Sequence, residues 1–563
     1  MTTWRRASNW LPNAALSLKL GAIGCFQGAC ISRQAKDPMR VQRKLLAQII
    51  SANRRTTFGL KYDFAAIGDY ETFASRVSVA QFEELRPYIE AEIERGEATL
   101  TAEKPLCYVR TSGTTGKPKD LPLTAQHLKS LRRIQEIAIA MQYRGCPEAF
   151  SGSMLAIVSP AREGVLSNGN TYGSASGIVA RSTPRIVRGK FVVPPAVLTI
   201  KDPQLKYLLI LRLAVARDDL TYIATANATT VLNLMRLYRT HQTELIEDIR
   251  RGGFRLAEQL PNEVAEAVAP RLRADPARAL ELQVLNSSPQ EVRIADLWPR
   301  LALVGTWTFG SSSVAVDALR RELPPAARIT DIGYMASEFR GTITLGRRSG
   351  TGMPTLDTHF FEFVEREKWD KKVPEFLTLD MLCKGRDYYV VVTTPSGLYR
   401  YFINDLVRVV GHLHRTPLLR FVQKGKGVTS ITGEKLYESQ VLAAVRVALE
   451  QYQLTVRFVM MLADETECRY RLYLEASQAN GVNADELAAE VDRVLAELNV
   501  EYRAKRESER LGKLSVHWLR HDTGEAFKAY CVQQGQREGQ FKTVALAYRK
   551  EFPFDLDRFI AAA

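Results

Sequence analysis

Short apolar segments alternate with longer amphipathic stretches along most of this chain, and this alternation restricts its fold more than any other feature. Because strands that alternate with helices usually pair in parallel, the pattern predicts an α/β fold with mixed or mainly parallel sheets. Strand-like segments lie at Met154–Val158, Thr221–Ala224, Leu301–Val304, Arg328–Ile332 and Tyr388–Thr393, and helical segments at Gln126–Met141, Thr229–Arg250 and Val314–Glu322.

The polar, glycine-containing segment 423–427 marks a change in this pattern, and the 563 residues suit more than one domain. A second α/β pattern follows this segment, with helices at Leu436–Gln451 and Ala484–Glu497 and strands at Val456–Leu462, Arg469–Leu474 and Leu514–Leu519. We therefore predict four regions: a basic leader (1–37) that is poorly ordered or helical, a large domain (38–422), a hinge (423–427) and a smaller, mobile C-terminal α/β domain (428–563).

The formal net charge of +15 is concentrated at the N-terminus, because residues 1–60 contain ten basic side chains and one acid. The rest of the chain is only mildly basic and contains no nucleic-acid-binding motif, so no nucleic-acid partner is expected. No uninterrupted apolar run reaches the length of a membrane span, and Lys19 interrupts the apolar N-terminal stretch, which disfavours a signal peptide. Seven scattered cysteines without a CxxC pair indicate reduced thiols, so we expect a cytoplasmic location. We also expect a monomer or weak dimer.

The string T-S-G-T-T-G-K-P-K-D, residues 111–120, follows an apolar strand-like segment. Its glycines would let backbone N–H groups approach phosphate oxygens, its hydroxyls add donors and its lysines offset negative charge. It is not the loop of kinases and GTPases, because no serine or threonine follows Lys117. A polar surface loop is the alternative, but the string resembles the phosphate loop of adenylate-forming enzymes.

Three further segments add to this resemblance: 333–338 (G-Y-M-A-S-E), 399–405 (Y-R-Y-F-I-N-D) and 420–424 (R-F-V-Q-K), the last leading into 433–436 (G-E-K-L). Taken singly, Tyr334 is typical of a core aromatic and Asp405 of a loop cap. In this order, together with Trp307, Gly310 and the late string 539–542 (G-Q-F-K), they resemble the Gretchen Hagen (auxin-responsive-promoter) family of acyl-acid amido synthetases. The resemblance extends over roughly residues 40 to 550 and places the chain in the adenylate-forming superfamily.

The resemblance implies an enzyme that uses ATP and Mg²⁺ to convert a small carboxylic acid into an acyl-adenylate, from which an amine or amino acid displaces AMP to form an amide. It implies that Ser112–Thr115 and Lys117 hold phosphates, Tyr334 stacks on adenine, Asp405 binds the ribose and Glu338 helps to hold Mg²⁺. Lys542 would reach the site from the small domain and act in catalysis with Glu338. The full set implied for nucleotide binding is Thr111, Ser112, Gly113, Thr114, Thr115, Lys117, Trp307, Tyr334, Ser337, Asp405, Lys424 and Lys435.

Three positions depart from the family pattern: Asn404 replaces a glycine before Asp405, Lys424 replaces a frequent arginine, and Asp120 places a carboxylate beside the phosphate loop. We expect Asp120 to point to solvent or to contact Lys119. The polar stretch 167–177, with Asn168 and Tyr172, suits a substrate loop, although an ordinary surface loop accounts for it equally well.

Two other functions stay open at this point. An acyl-CoA ligase or another adenylate-forming enzyme with a different acceptor would share the first half-reaction. A non-catalytic homologue acting as a binding protein is disfavoured, because Lys117, Glu338, Asp405 and Lys542 are all present.

Overall fold

The computed structural model describes residues 10–111, 119–181, 185–310, 312–345, 350–425, 427–476, 481–536, 541 and 543–561. The chain divides into two compact units. The large unit comprises Met1–Trp307, Glu322–Ile403 and Arg408–Arg420, and the small unit comprises Thr308–Arg321, Asn404–Val407 and Phe421–Ala563.

A four-stranded parallel sheet lies in the large unit, with the strand order Ser153–Ile157, Leu220–Thr225, Leu303–Thr306 and Arg328–Asp331. All four strands were predicted within two residues, because each is a short apolar run between helices. The predicted α/β class is confirmed. The carboxyl ends of such strands meet at one sheet edge, where ligands bind in open α/β folds.

A seven-stranded sheet formed mostly by residues of the large unit contains antiparallel pairs, as a fold with mixed sheets allows. Its strand Phe360–Glu365 runs antiparallel to both neighbours, and short connections between consecutive strands favour this arrangement because parallel pairing needs a long crossover. The strand order is Phe376–Leu377, Phe360–Glu365, Asp387–Thr393, Tyr401–Leu413, Thr416–Lys424, Gly352–Pro354 and Thr342–Thr344.

A smaller sheet contains the hairpin formed by Pro105–Thr111 and Lys119–Thr124. The strands Thr171–Gly173 and Gly164–Val165 extend it on the side of Pro105–Thr111. The two hairpin strands therefore hold the ends of the predicted phosphate loop together.

Side-chain caps fix where several helices of the large unit begin. Asp37 accepts a hydrogen bond from Arg40 N before Pro38, and Thr124 accepts one from His127 N. The α-helices of this unit are Trp10–Lys36, Pro38–Asn53, Thr57–Lys61, Tyr70–Arg76, Phe82–Arg95, Ala125–Gly145, Ala175–Ala180, Arg185–Arg188, Pro203–Val215, Ala228–Arg251, Asn262–Val268, Pro276–Asn286, Ile294–Leu297 and Arg366–Asp370.

The N-terminal helix Trp10–Lys36 packs on the large unit through Leu16 and Leu20, which belong to a buried cluster with Ala140 and Phe150. Its stretch 13–36 has a mean hydropathy of 1.4, and by length and composition alone it could cross a membrane. A buried helix of a soluble protein and a signal sequence meet the same criterion.

The small unit has a four-stranded sheet that is covered on both faces. From Phe458 onwards the strand Val456–Asp464 alternates between two apolar clusters, because successive side chains of a strand point to opposite faces. Val459, Met461 and Ala463 join one cluster, and Phe458, Met460 and Leu462 join the other. The sheet order is Ser515–Trp518, Arg469–Ala476, Val456–Asp464 and Leu546–Tyr548, and the other elements are Ser312–Glu322 (the last residue in the large unit), Val428–Thr429, Leu436–Tyr437, Glu438–Gln451, Ala484–Leu498, Val500–Glu507 and Thr523–Gln533.

Candidate functional site

The predicted phosphate loop connects two paired strands, since Thr111 is the register partner of Lys119. A strand–loop–strand arrangement distinguishes it from the strand–loop–helix of kinases and GTPases. The predicted site residues Ser112, Gly113, Thr114, Thr115 and Lys117 lie outside the described residues, as does Lys542.

An ion pair and an aromatic ring brace this hairpin. Arg110 donates two hydrogen bonds to the Asp120 carboxylate, with nitrogen–oxygen distances of 2.7 and 2.8 Å. The Arg110 guanidinium carbon lies 3.6 Å from the centre of the Tyr172 ring. Asp120 was expected to point to solvent or to contact Lys119. It instead forms an ion pair with Arg110 and neutralises its charge. Tyr172 supports the hairpin, while Asn168 is exposed and accepts a hydrogen bond from Asn170 N.

A lysine, a tyrosine and a glutamate from three distant parts of the sequence meet in the large unit. The Tyr401 hydroxyl donates to Glu338 Oε1 over 3.4 Å, and Lys119 Nζ donates to the Tyr401 oxygen over 3.2 Å. A carboxylate with a nearby ammonium group beside a glycine- and hydroxyl-rich loop suits a bound cation and polyphosphate. Glu338 was predicted, whereas Lys119 and Tyr401 were not, although both lie in strings that the sequence singled out.

A buried ion pair fixes the backbone on which Tyr401 lies. Arg400 Nη2 donates to Glu362 Oε1 over 2.7 Å, and Arg400 Nη1 donates to the carbonyl oxygens of Ala74 and Val77. Burial raises the pKa of the Glu362 carboxyl, and the charge of Arg400 opposes this change. Because the pair is almost fully buried, loss of either partner would leave an uncompensated charge and destabilise this region.

Tyr334 follows the parallel strand Arg328–Asp331 and is largely buried. Its ring is perpendicular to that of Phe339 at a centroid distance of 5.2 Å, and its N–H donates to Thr342 Oγ1. Ser337 and Glu338 lie in the tight turn between Ala336 and Phe339. Trp307 directly follows another parallel strand, Leu303–Thr306, and its N–H donates to Ala226 O.

The small unit contains an ion pair between two residues that were predicted to bind the nucleotide. Lys424 Nζ lies 3.3 Å from Asp405 Oδ1, and the Asp405 side chain is 2% exposed. Asn404 has a φ of 59°, a left-handed conformation that asparagine tolerates better than most residues. A Cβ at Gly425 would overlap the Asn404 side chain. The departure at Asn404 is therefore accommodated by a glycine on the neighbouring segment.

Lys435 is exposed at the end of a turn that a buried glutamate holds in place. Glu434 accepts hydrogen bonds from Ile431 N, Thr432 N and the Tyr470 hydroxyl, at 2.7, 2.8 and 2.6 Å. Burial opposes ionisation of Glu434, yet the hydrogen bonds from Tyr470 and the backbone hold its pKa below the ordinary value. These hydrogen bonds fix the backbone of the turn that precedes Lys435.

A buried carboxyl links the region predicted as a hinge to the chain just beyond Lys542. Glu438 N donates to Gly427 O, and Glu438 Oε1 accepts a hydrogen bond from Ala545 N over 2.6 Å. Burial raises the pKa of Glu438 to about 7. Gln423 adds a second connection, because its side chain contacts both Gly427 O and Ser439 N.

Comparison with known proteins identifies the family to which this chain is similar. Residues 29–326 match the GH3 family N-terminal domain, residues 352–424 the central domain and residues 439–551 the C-terminal domain. The chain is 24% identical over 554 residues to the indole-3-acetic acid-amido synthetase GH3.15 of Arabidopsis thaliana, covering 92% of each chain. It is also 24% identical over 544 residues to the 4-substituted benzoates-glutamate ligase GH3.12 of the same plant, covering 89% of this chain and 92% of the relative.

The fold agrees with this similarity. A solved structure of the GH3.15 acyl acid amido synthetase superimposes with a TM-score of 0.81 at 22% identity, covering 95% of this chain and 96% of that one. The three domain matches follow one another in the family order and together cover more than half of the sequence. This chain therefore belongs to the GH3 family.

Proposed function

We propose that the protein is an acyl acid amido synthetase that forms an amide from a carboxylic acid and an amine in two steps. The observation that carries this proposal is the series of three GH3 domain matches. The sequence also contains Glu338, Asp405 and the lysines that the family resemblance implies. The relatives that match over most of their length are named as amido synthetases and as a glutamate ligase.

In the first step a carboxylate oxygen of the acid attacks the α-phosphorus of ATP. The bond between this phosphorus and the oxygen bridging to the β-phosphate breaks, and pyrophosphate leaves. Negative charge grows on the leaving pyrophosphate, so fixed cations and N–H donors should supply most of the catalysis. We assign phosphate binding to Thr111, the loop 112–117 and Lys119, with Lys435 as a further cation.

In the second step the nitrogen of a deprotonated amine attacks the acyl carbonyl carbon. The bond to the phosphate oxygen breaks, AMP leaves, and the amide forms after loss of a proton from nitrogen. An amino acid is the acceptor that we favour, because a close relative in length and sequence is a glutamate ligase.

Glu338 is the residue that we assign to Mg²⁺. Its carboxylate is partly exposed and receives one long hydrogen bond from Tyr401, which leaves lone pairs for a metal ion. Mg²⁺ in such sites is held by one or two carboxylates together with substrate phosphates, so this donor set fits. When bound, Mg²⁺ neutralises charge on the phosphates.

For nucleotide binding we assign Tyr334 to adenine, Asp405 to the ribose hydroxyls, and Trp307, Ser337 and Lys424 to the surrounding contacts. Lys542 is assigned to the adenylation step, in which its ammonium would approach the reacting carboxylate and the α-phosphate.

The domain boundaries given above, a cytoplasmic location and a monomer or weak dimer complete the proposal. Seven free cysteines support a reducing compartment.

A pyrophosphate-exchange screen over a panel of carboxylic acids tests this function, followed by mass spectrometry with added amino acids and, in parallel, coenzyme A. We expect exchange that depends on acid and Mg²⁺, and an amide as the acyl product. The Lys542→Ala variant should lower exchange by at least the order of 10². A coenzyme A thioester as the only acyl product would instead establish the acyl-CoA ligase alternative.

A further inference from the structure

A guanidinium group that lacks an acidic partner lies two residues beyond Glu338. Arg340 Nη1 donates to Gln135 Oε1, and this is its one side-chain hydrogen bond among the described residues. Arg340 Nε is buried and has no hydrogen-bond partner. Leaving a buried donor of a charged group unsatisfied costs more free energy than leaving a neutral one, so this arrangement calls for an acceptor.

Among the described side chains, no carboxylate supplies that acceptor. Within the described part of the chain, no carboxylate oxygen lies within 4.0 Å of the Arg340 guanidinium nitrogens, and the neighbouring Tyr222 offers only a hydroxyl. The stretches of the large unit outside the description, 1–9, 112–118, 182–184 and 346–349, contain no aspartate or glutamate. An arginine guanidinium stays protonated in proteins, so Arg340 carries its charge at neutral pH.

Two amide side chains of one helix lie close to Arg340 or to its neighbour Tyr222. Gln135 and Gln142 are seven residues apart on the helix Ala125–Gly145 and therefore share one face of it. Gln142 Oε1 accepts a hydrogen bond from the Tyr222 hydroxyl over 2.8 Å. Gln135 is hydrogen-bonded to Arg340, and Gln142 is hydrogen-bonded to Tyr222. The guanidinium of Arg340 is therefore the one charged hydrogen-bond donor among these four side chains.

The place of Arg340 in the fold connects it to residues that we assign to the nucleotide and to Mg²⁺. It follows the last strand of the parallel sheet, Arg328–Asp331, on the segment that also contains Tyr334 and Glu338. Its backbone bridges to Met335, which closes the turn bearing Ser337 and Glu338. Side chains at this edge of a parallel sheet are those that contact ligands.

We infer that Arg340 binds a second carboxylate of the acyl substrate, so that the protein activates one carboxyl group of a dicarboxylic acid. This inference rests on the proposed function. Arg340 is then a specificity-determining residue that forms a charge-assisted pair with the carboxylate that does not react.

The alternative ligand of Arg340 is the reacting carboxylate itself, and two physical arguments disfavour it. A guanidinium paired with the attacking oxygens would stabilise the ground state more than the transition state, which slows the reaction. The reacting group also loses its charge when the acyl-adenylate forms, which would leave the buried Nε of Arg340 without a charged partner. A second carboxylate keeps its charge through both steps.

Matched pairs of acids test this inference: terephthalic against para-toluic acid, and adipic against hexanoic acid. We expect the wild-type protein to give kcat/KM values in pyrophosphate exchange that are at least about tenfold higher for the diacid of each pair. Arg340→Met should abolish this preference, and Arg340→Lys should retain part of it because the charge remains without the planar fork. Arg132→Met removes an exposed cation from the helix Ala125–Gly145, which also carries Gln135. This variant should leave the ratio of the kcat/KM values unchanged.

Calorimetric titration of the same acids, with a non-hydrolysable ATP analogue present, keeps this test separate from that of the proposed function. Tighter binding of diacids to the wild type, lost in Arg340→Met, would support the inference even if no acid gave exchange. Wild-type protein that binds or activates the monoacids as well as the diacids would overturn it. Equal losses for both members of each pair in a folded Arg340→Met protein would assign Arg340 to the reacting carboxylate and also overturn it.

Discussion

Asp405 and Lys424 form an ion pair whose partners differ strongly in exposure: the carboxylate side chain is 2% exposed and the lysine side chain 38%. If Asp405 accepts the ribose hydroxyls, we expect Asp405→Asn to weaken ATP binding by roughly 1.5–3 kcal/mol for each charged hydrogen bond lost. The fold should survive, because Lys424 reaches solvent and does not become a buried, unpaired charge. Isothermal titration calorimetry with ATP gives the affinity.

Asp464→Asn is a matched control in the same unit. Asp464 is as buried as Asp405 and is paired with Arg471 and Arg549. Its replacement should lower the free energy of unfolding without changing ATP affinity. A folded Asp405→Asn protein that binds ATP like the wild type would show that Asp405 serves only to pair with Lys424.

Two buried histidines connect separate elements in the large unit. His127 Nε2 lies 3.1 Å from His359 Nε2, while the other ring nitrogens contact Ser396 Oγ and Thr355 Oγ1, each at 2.8 Å. His127 belongs to the helix Ala125–Gly145, and His359 precedes the strand Phe360–Glu365. The chain of four polar groups therefore ties this helix to the seven-stranded sheet. We assign it a structural role.

This pair predicts how stability depends on pH. Burial lowers the pKa of His127 to about 4, and burial with the neighbouring imidazole lowers that of His359 well below 6.5. Between pH 6.5 and about 4 the unfolded chain therefore binds more protons, so the stabilising contribution is complete above pH 6.5 and is lost as the pH falls. The slope is about 1.4 kcal/mol per pH unit for each fully responding histidine.

Urea unfolding between pH 7.5 and 5 measures this slope. His127→Gln should be less stable than the wild type at pH 7.5 but should lose less stability on acidification. The exposed His412→Gln variant should follow the wild-type pH dependence. Identical slopes for His127→Gln and wild type would contradict the assignment of neutral, buried imidazoles.

At the scale of the whole molecule, the sequence predicted those elements whose pattern is local. The helix predicted at Gln126–Met141 is observed at Ala125–Gly145, and the helix predicted at Ala484–Glu497 at Ala484–Leu498. Both have an apolar stripe at helical spacing. The long strand Tyr401–Leu413 was not predicted, because its polar residues Asn404, Asp405 and Arg408 interrupt any simple alternation.

The candidate site could be predicted only where a family string marks it. Glu338 and Asp405 were identified in this way, but the meeting of Lys119, Glu338 and Tyr401 depends on contacts between strands and turns that are far apart in sequence. Arg340 carries no sequence signal at all. Its significance comes from burial and from the lack of an acidic partner, and both are properties of the packed structure.

The central claim is that an acyl-adenylate precedes the amide. A reaction with an acid labelled with ¹⁸O at both carboxyl oxygens, ATP and the acceptor amine tests it most directly. The attacking oxygen becomes the bridge to phosphorus and leaves with AMP when nitrogen attacks the carbonyl carbon. The account predicts that mass spectrometry finds one ¹⁸O atom in AMP for each amide formed, and none in pyrophosphate. Label in inorganic phosphate together with ADP, or unlabelled AMP with the departing ¹⁸O released as water, would contradict it.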